Sequence, residues 1–294
     1  MTGMHKEGFV EVEGGRVWYQ INGRESGVPL VGLHGGPGGS SVGMERLLAL
    51  SDDRPVVLYD QLGSGKSDRP SDASLWRVDR FVRELATLRS ALGLEQVHLL
   101  GHSWGTMLLA DYLLTQPTGV VSAIFSSPCL SAPRWVADAD RLRLDLPADV
   151  QQVLTECEAT GNTKSQAYKQ ATEVYMKKHV CRVEISPEER ARRDAAFGEE
   201  VYNAMWGPSE FHATGTLKTY DRTDRLHEIT VPALFTCGRY DEASPESTKY
   251  YQSLVPGAKY HVFEESSHSA MREQPEEYLR VIRNFVARVE RTNA

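Results

Sequence analysis

The sequence predicts an α/β fold: a mostly parallel sheet with helices on both faces and a helical segment inserted between two of its strands. Three observations carry this. Short apolar β-rich runs recur along the chain, several of them ending in Gly-rich or polar loops. Helical stretches separate the later runs, and such alternation favours parallel strands covered on both sides. Over residues 131–227 the strand signals vanish and polar helical text takes over.

The elements follow in order. "FVEVEGGRVWYQIN" alternates around Gly14 and Gly15, the pattern of an antiparallel hairpin. "PLVGLHGGPGG", "PVVLYDQLGSG" and "VHLLGHSWG" each read as a strand running into a loop. "VDRFVRELATLRSALG" carries apolar residues at helical spacing, and "VVSAIFSSP" is another strand. The inserted segment contains "PADVQQVLTECEAT", "SQAYKQATEVYMKKHV" and "SPEERARRDAAFGEEVYNAMW". In the last of these Ser186 reads as an N-cap, with Pro187 at the first helical position. A stretch this long is no simple loop. "VPALFTCGRYDE" and "AKYHVFEESSH" then give two strands around a helical run, and "PEEYLRVIRNFVARVE" closes the chain as an amphipathic helix. The expected division is a core over residues 1–130 and 228–294, and a helical cap over 131–227.

Bulk properties narrow the function. A chain of 294 residues, 40% hydrophobic, can bury a sizeable core. The net charge of −7 is spread out with no long basic run, which argues against nucleic acid as a partner and permits a cationic substrate. Residues 1–15 hold no apolar leader core, and the apolar runs stop short of a membrane span. Four cysteines lie far apart with no C-x-x-C pair, which fits a reducing, cytoplasmic location and gives no zinc site. No cofactor or metal is expected. A monomer is compatible with the sequence, which does not fix the oligomeric state.

"GHSWG" (Gly101 to Gly105) matches G-x-S-x-G, follows a strand and opens a helical run. A sharp strand-to-helix turn there lifts Ser103 out of the sheet, and the helix N-terminus favours developing negative charge. Serine needs a base. Of nine histidines, His268 in "EESSHSAM" sits in a loop after the last strand, where such a sheet places its site. His102 is expected to point away from Ser103. His34 belongs to the first Gly-rich loop and His261 to a strand. His5, His98, His179, His212 and His227 have no supporting context. Asp241 ends a strand as His268 follows one, and the order Ser103, Asp241, His268 suits a triad in which the aspartate orients the imidazole. The Gly36 and Trp104 N–H groups are the natural oxyanion pair. "GSGKS" (residues 63–67) mimics the end of a phosphate-binding loop, but Asp60 stands where that motif needs glycine and no helix opens at Ser67. It reads as a rigid loop beside the site.

"HGGPGGS", "YDQLGSGKSDRP", "GHSWGTML", "GRYDE" and "SHSAMREQPEEY", in this order and spacing, resemble the α/β-hydrolase fold and, within it, the proline iminopeptidase family of serine peptidases. The resemblance spans nearly the whole chain. It implies an eight-stranded, mostly parallel sheet with a helical cap. It is nearest to the branch of the tricorn-interacting aminopeptidase and L-amino-acid amidases, whose "GPxEF" cap sequence is matched by "GPSEF". That branch implies an exopeptidase acting on short peptides or amino-acid amides, with Glu210 and Glu242 binding the free α-amino group and Tyr202 shaping the site. Thr106 departs from the second glycine that many members carry after the elbow, a change that bears on the packing of the elbow helix. Residues 131–149, a loop that differs freely among members, leave the side-chain pocket open.

The physical case for the carried-over residues is direct. An α-amino group, with a pKa of ~8, is mostly cationic at neutral pH. Two carboxylates in a dry pocket can give it charge-assisted hydrogen bonds. Glu210 is also expected to sit in the first turn of a helix, with Ser209 as a possible cap. The sequence thus supports a prolyl aminopeptidase first. An amino-acid amidase, or an esterase or lactonase with the same triad, is the alternative. A non-catalytic ligand binder of the same fold is disfavoured by the intact triad.

Overall fold

The computed structural model describes residues 4–293; of the stretch 1–15 read above for a leader, residues 1–3 lie outside the described residues. Gly14 turns the chain with φ +96°, and β1 (Met4–Val12) pairs antiparallel with β2 (Gly15–Gly23) in the expected register, Val12 opposite Gly15. The remaining core elements are β3 (Leu30–Leu33), β4 (Val56–Tyr59), α1 (Val78–Ala91), β5 (Val97–His102), α2 (Trp104–Leu113) and β6 (Val120–Ser126). The inserted helices are α3 (Ala132–Arg143), α4 (Ala148–Ala159), α5 (Gln166–Tyr175), α6 (Pro187–Ala196) and α7 (Glu199–Met205). The core resumes with β7 (Ala233–Gly238), α8 (Pro245–Leu254), β8 (Lys259–Phe263), α9 (Ala270–Glu273) and α10 (Pro275–Asn293).

These build one eight-stranded sheet in the order β1-β2-β4-β3-β5-β6-β7-β8, parallel from β4 onward. β3 and β4 are buried at every position, which is why they read as unbroken apolar runs. Successive side chains serve opposite faces: Leu30 and Leu58 join the cluster under α10, Val31 and Val57 the cluster under α1, α2 and α8. On α10 the buried residues Tyr278, Ile282, Phe285, Val286 and Val289 form one stripe. Among the described residues no helix is long and apolar enough to cross a membrane. All four cysteines are unpaired.

The helices between β6 and β7 share a small cluster of their own, including Leu146, Leu154, Tyr168, Tyr175 and Phe211. Two expectations are corrected here. Residues 131–149 are not a loop: Ser131 caps α3, its hydroxyl accepting from Arg134 N, and the helix runs through most of the stretch. The helical text from Pro187 to Trp206 forms two helices. Ser186 does cap the first of them, but Phe197 is extended, and Gly198 N donates to Gly38 O at 2.7 Å. A Cβ on Gly198 would stand 2.3 Å from Gly63 O, so only glycine lets two core loops approach at that point. Finally, "GPSEF" starts no helix. It is a tight turn bridged between Ser209 and His212, and the Ser209 hydroxyl meets Tyr168 Oη at 2.8 Å instead of capping.

Candidate active site

The loops at the carboxyl ends of β3, β5, β7 and β8 converge beneath the inserted helices. Ser103 occupies the turn between β5 and α2 with φ 54° and ψ −122°, a conformation L-residues rarely adopt. Its flanking glycines explain how this is possible: a Cβ on Gly105 would lie 2.1 Å from Leu33 O, and one on Gly101 would lie 2.3 Å from Gly105 O. Thr106, the departure from the family pattern, braces the turn. Its hydroxyl donates to Ser103 O at 2.6 Å and accepts from Cys129 N at 3.0 Å.

His268 Nδ1 lies 2.7 Å from Asp241 Oδ1. Asp241 is fully buried and fixed by Ala243 N on Oδ1 (2.8 Å) and Gly238 N on Oδ2 (3.2 Å). Burial drives the imidazole pKa down, but the charge and hydrogen bond of Asp241, helped by Glu210, outweigh it and leave the pKa above its ordinary value. Ser103 and His268 line the same cleft. Among the described hydrogen bonds none joins Ser103 Oγ to His268; such bonds often tighten only with substrate in place.

Gly36 (φ +116°) and Trp104 flank Ser103 in a small, mostly apolar pocket, whose other walls include Met107, Cys129, Trp135, Trp206 and Leu217. Trp104 heads α2, so its N–H has no acceptor within the helix. Its indole is anchored on Gln61 Oε1 at 2.8 Å. The phosphate-loop mimic is a brace: Asp60 accepts from Ser41 N (2.7 Å) and Lys66 N (2.9 Å), and Gly65 N donates to Ala196 O of the cap (2.7 Å).

Glu210 faces this pocket from the inserted segment. Its main-chain oxygen accepts from the indoles of Trp135 (2.8 Å) and Trp206 (3.2 Å), which fix the turn. Glu242 is fully buried, with Oε1 3.9 Å from His268 Nε2. Burial raises the pKa of both carboxyls. For Glu242 the neighbouring charges of Glu210 and Asp241 raise it further; for Glu210 the His268 charge and the Tyr202 hydroxyl oppose the rise. A cation brought between them would relieve the repulsion. Tyr202, nearly buried, lines the adjoining cleft beside Glu210.

Two cap residues without sequence context lie against the loops of the site. His179 lies in the π turn that ends α5 (Met176–Val180), and its main-chain oxygen accepts from both Glu242 N (3.3 Å) and His268 N (3.1 Å). A single cap carbonyl therefore ties together the loops bearing the base and a recognition carboxylate. Tyr175, also on the cap, is fully buried beside Glu242. His102, expected to point away from Ser103, packs its ring 4.8 Å from the His268 ring, where burial, then His268 and Arg193, lower its pKa. His98 is buried beneath the sheet, between Ser122 Oγ (2.7 Å) and Glu290 Oε1 (3.2 Å). No cluster of metal-ligating residues occurs among the described residues.

The profile of the α/β hydrolase fold family matches residues 28–275. A proline iminopeptidase from Heyndrickxia coagulans is 54% identical over 285 residues, 96% of this chain and 99% of that protein. The crystal structure of a proline iminopeptidase from Mycobacterium smegmatis superposes with a TM-score of 0.90 at 34% identity, covering 98% of this chain and 100% of that one. The crystal structure of VinJ superposes at 0.93, also 34% identical, covering 97% and 99%.

Proposed function

The chain belongs to the proline iminopeptidase family of the α/β-hydrolase fold, and from that premise we propose a serine exopeptidase that removes the N-terminal residue, proline among them, from short peptides or amino-acid amides. The observation that carries the reading is the pair Glu210 and Glu242. Two carboxyls that repel one another, Glu242 fully buried and Glu210 half-buried, stand beside the nucleophile and base, and no basic side chain of the site has a salt bridge with Glu210. Such a pair suits a substrate ammonium.

The steps follow from the geometry. The α-ammonium sits between Glu210 and Glu242, and the first side chain enters the pocket of Met107, Cys129, Trp135, Trp206 and Leu217. Ser103 Oγ attacks the first carbonyl as His268 Nε2 takes its proton. The oxyanion is received by the Gly36 and Trp104 N–H groups. His268, oriented by Asp241, passes the proton to the leaving amine, and the acyl-enzyme is then hydrolysed by water in the same sequence. The four unpaired thiols support placing the enzyme in a reducing, cytoplasmic setting.

The test compares prolyl, alanyl and phenylalanyl arylamides, their N-acetylated forms and a simple ester. N-acetylation is expected to lower kcat/KM by about 100-fold or more, since it removes the cation and leaves Glu210 and the buried Glu242 without it. Equal rates on free and acetylated amides would remove Glu210 and Glu242 from recognition. Ester cleavage without amide cleavage would make the enzyme an esterase instead.

A further inference from the structure

The two arms of the oxyanion site meet on one side chain that takes no part in the proton transfers. Gln61 lies just past β4, is buried, and bridges the loop that carries Gly36 and the elbow that carries Trp104. Its amide oxygen accepts from Trp104 Nε1 at 2.8 Å. Its amide nitrogen donates to His34 O at 3.2 Å, and its main-chain N–H donates to His34 Nε2 at 2.9 Å. His34 Nδ1 faces Gly35 O at 2.9 Å. Each of these bonds has a fixed direction. An indole N–H only donates and a carbonyl only accepts, so the Gln61 amide fits one way round. A main-chain N–H only donates, so His34 Nε2 is the bare nitrogen and Nδ1 carries the proton toward Gly35 O.

Loop and elbow already touch. A Cβ on Gly105 would stand 2.9 Å from His34 O, and one on Gly35 would stand 3.1 Å from Ser103 Cβ. Such contact sets how near the two backbones come, but not how they slide past one another. An oxyanion site needs both N–H groups aimed at one point, and a misplacement of about 1 Å can cost about 100-fold in rate. A planar amide bonded at one end to the loop carbonyl and at the other to the Trp104 indole removes that freedom. The turn beyond His34 is closed by Gly39 N on Gly35 O at 3.1 Å, so Gly36 moves with the segment that Gln61 holds. Building on the oxyanion role assigned above to Gly36 and Trp104, we propose that Gln61 is a positioning residue that keeps those two N–H groups in register. Its amide then acts on the tetrahedral state and not on the bound substrate.

The experiment is Gln61→Met, which keeps the length of the side chain and none of its hydrogen bonds, read with two inhibitors. Ser103 Oγ can add to the aldehyde carbon of prolinal, its proton passing to His268 Nε2 and the aldehyde oxygen taking the charge into the oxyanion site. Prolinol has no carbonyl and only occupies the pocket. Gln61→Met is expected to lower kcat on prolyl arylamide about 10- to 100-fold, with KM within about twofold of wild type. Prolinal should bind more weakly by a similar factor, and prolinol as it does to wild type. Equal weakening of both inhibitors, or an unchanged kcat, overturns the proposal. Trp104→Phe is the second variant. It keeps a ring against Phe81, whose centroid lies 5.6 Å from that of Trp104, and loses the bond to Gln61. It should weaken prolinal and spare prolinol, and prolinal binding at wild-type strength overturns the proposal even if Gln61→Met does not fold. In the double variant the kcat loss should be smaller than the product of the single losses, because both changes remove one shared bond. Losses that multiply contradict the proposal. If wild type binds prolinal no tighter than prolinol, the oxyanion reading fails and the role of Gln61 with it. If wild type prefers prolinal and both variants keep that preference, only the Gln61 assignment fails.

Discussion

At Ser103, chemistry and conformation are one requirement. The residue sits where few L-residues can, because two glycines let β3, β5 and α2 close around it and Thr106 ties its carbonyl. Ser103→Ala should reduce kcat by about 10⁴-fold or more while leaving the thermal midpoint near wild type. Asp241→Asn should cost about 10³–10⁴-fold, through the wrong imidazole tautomer. Glu210→Gln should lower kcat/KM on free-amino substrates by about 100-fold and change stability little, since Glu210 is raised in pKa and gives the empty fold no ion pair. The pH profile follows from the signs. His268 works as a neutral base and its pKa is raised, so activity climbs through a pKa above the ordinary ~6.5. It declines again above about pH 8, as the substrate loses its ammonium proton. Ser103, Asp241 and His268 were legible because each ends a strand pattern in a loop, and Glu210 through the cap motif. Tyr175 and His179 were not. Tyr175 is a ring buried in a helix of ordinary composition, and His179 makes its contacts through a main-chain oxygen, which leaves no trace in residue type.

The elements show the same division. Every strand was legible: burial on both faces makes β3 and β4 continuous apolar runs, and the others keep short apolar runs that end in turns or polar loops. The break at Phe197 and Gly198 was hidden, because helix-forming text runs through it and the cause lies on two distant loops. So was the clamp at the far end of the sheet. There Arg54 holds Glu290 of α10 through two bonds (2.8 and 3.2 Å), and Glu290 meets His98. Burial lowers the His98 pKa to about 4. Its folded pKa is below its unfolded one, so the unfolded chain takes up the proton first and stability falls as pH drops from about 6.5 toward 4. Between pH 7 and 5 the loss from this group should be about 2 kcal/mol, measured by urea unfolding. His98→Gln should flatten that part of the curve, and an unchanged slope would show that His98 does not titrate on unfolding.

For the whole molecule, the joint between cap and core decides function. Asp138 of α3 accepts from Ser244 Oγ at 2.6 Å and from the Ser247 hydroxyl of α8, and Arg141 lies beside it at 2.9 Å. Across the mouth of the cleft Arg272 pairs with Glu189 and Arg192 with Glu45. Asp138→Ala would strip the acceptor from two buried hydroxyls, at a cost of about 2–3 kcal/mol. The midpoint should fall by roughly 5 °C by calorimetry, for a domain of this size. A midpoint within 1 °C of wild type, a change of less than about 0.5 kcal/mol, would mean that water replaces the carboxylate there.

The bond from Gly198 N to Gly38 O joins the start of α7 to the loop that carries Gly36. Cap and oxyanion loop are thus fastened at one point, much as a door is wired to a circuit. Swinging the cap outward must either drag that loop away from Ser103 or break the contact that steadies it. A cap that parts from that contact leaves the oxyanion loop without its fastening, so the shape of the cap and the readiness of the site are set at one joint.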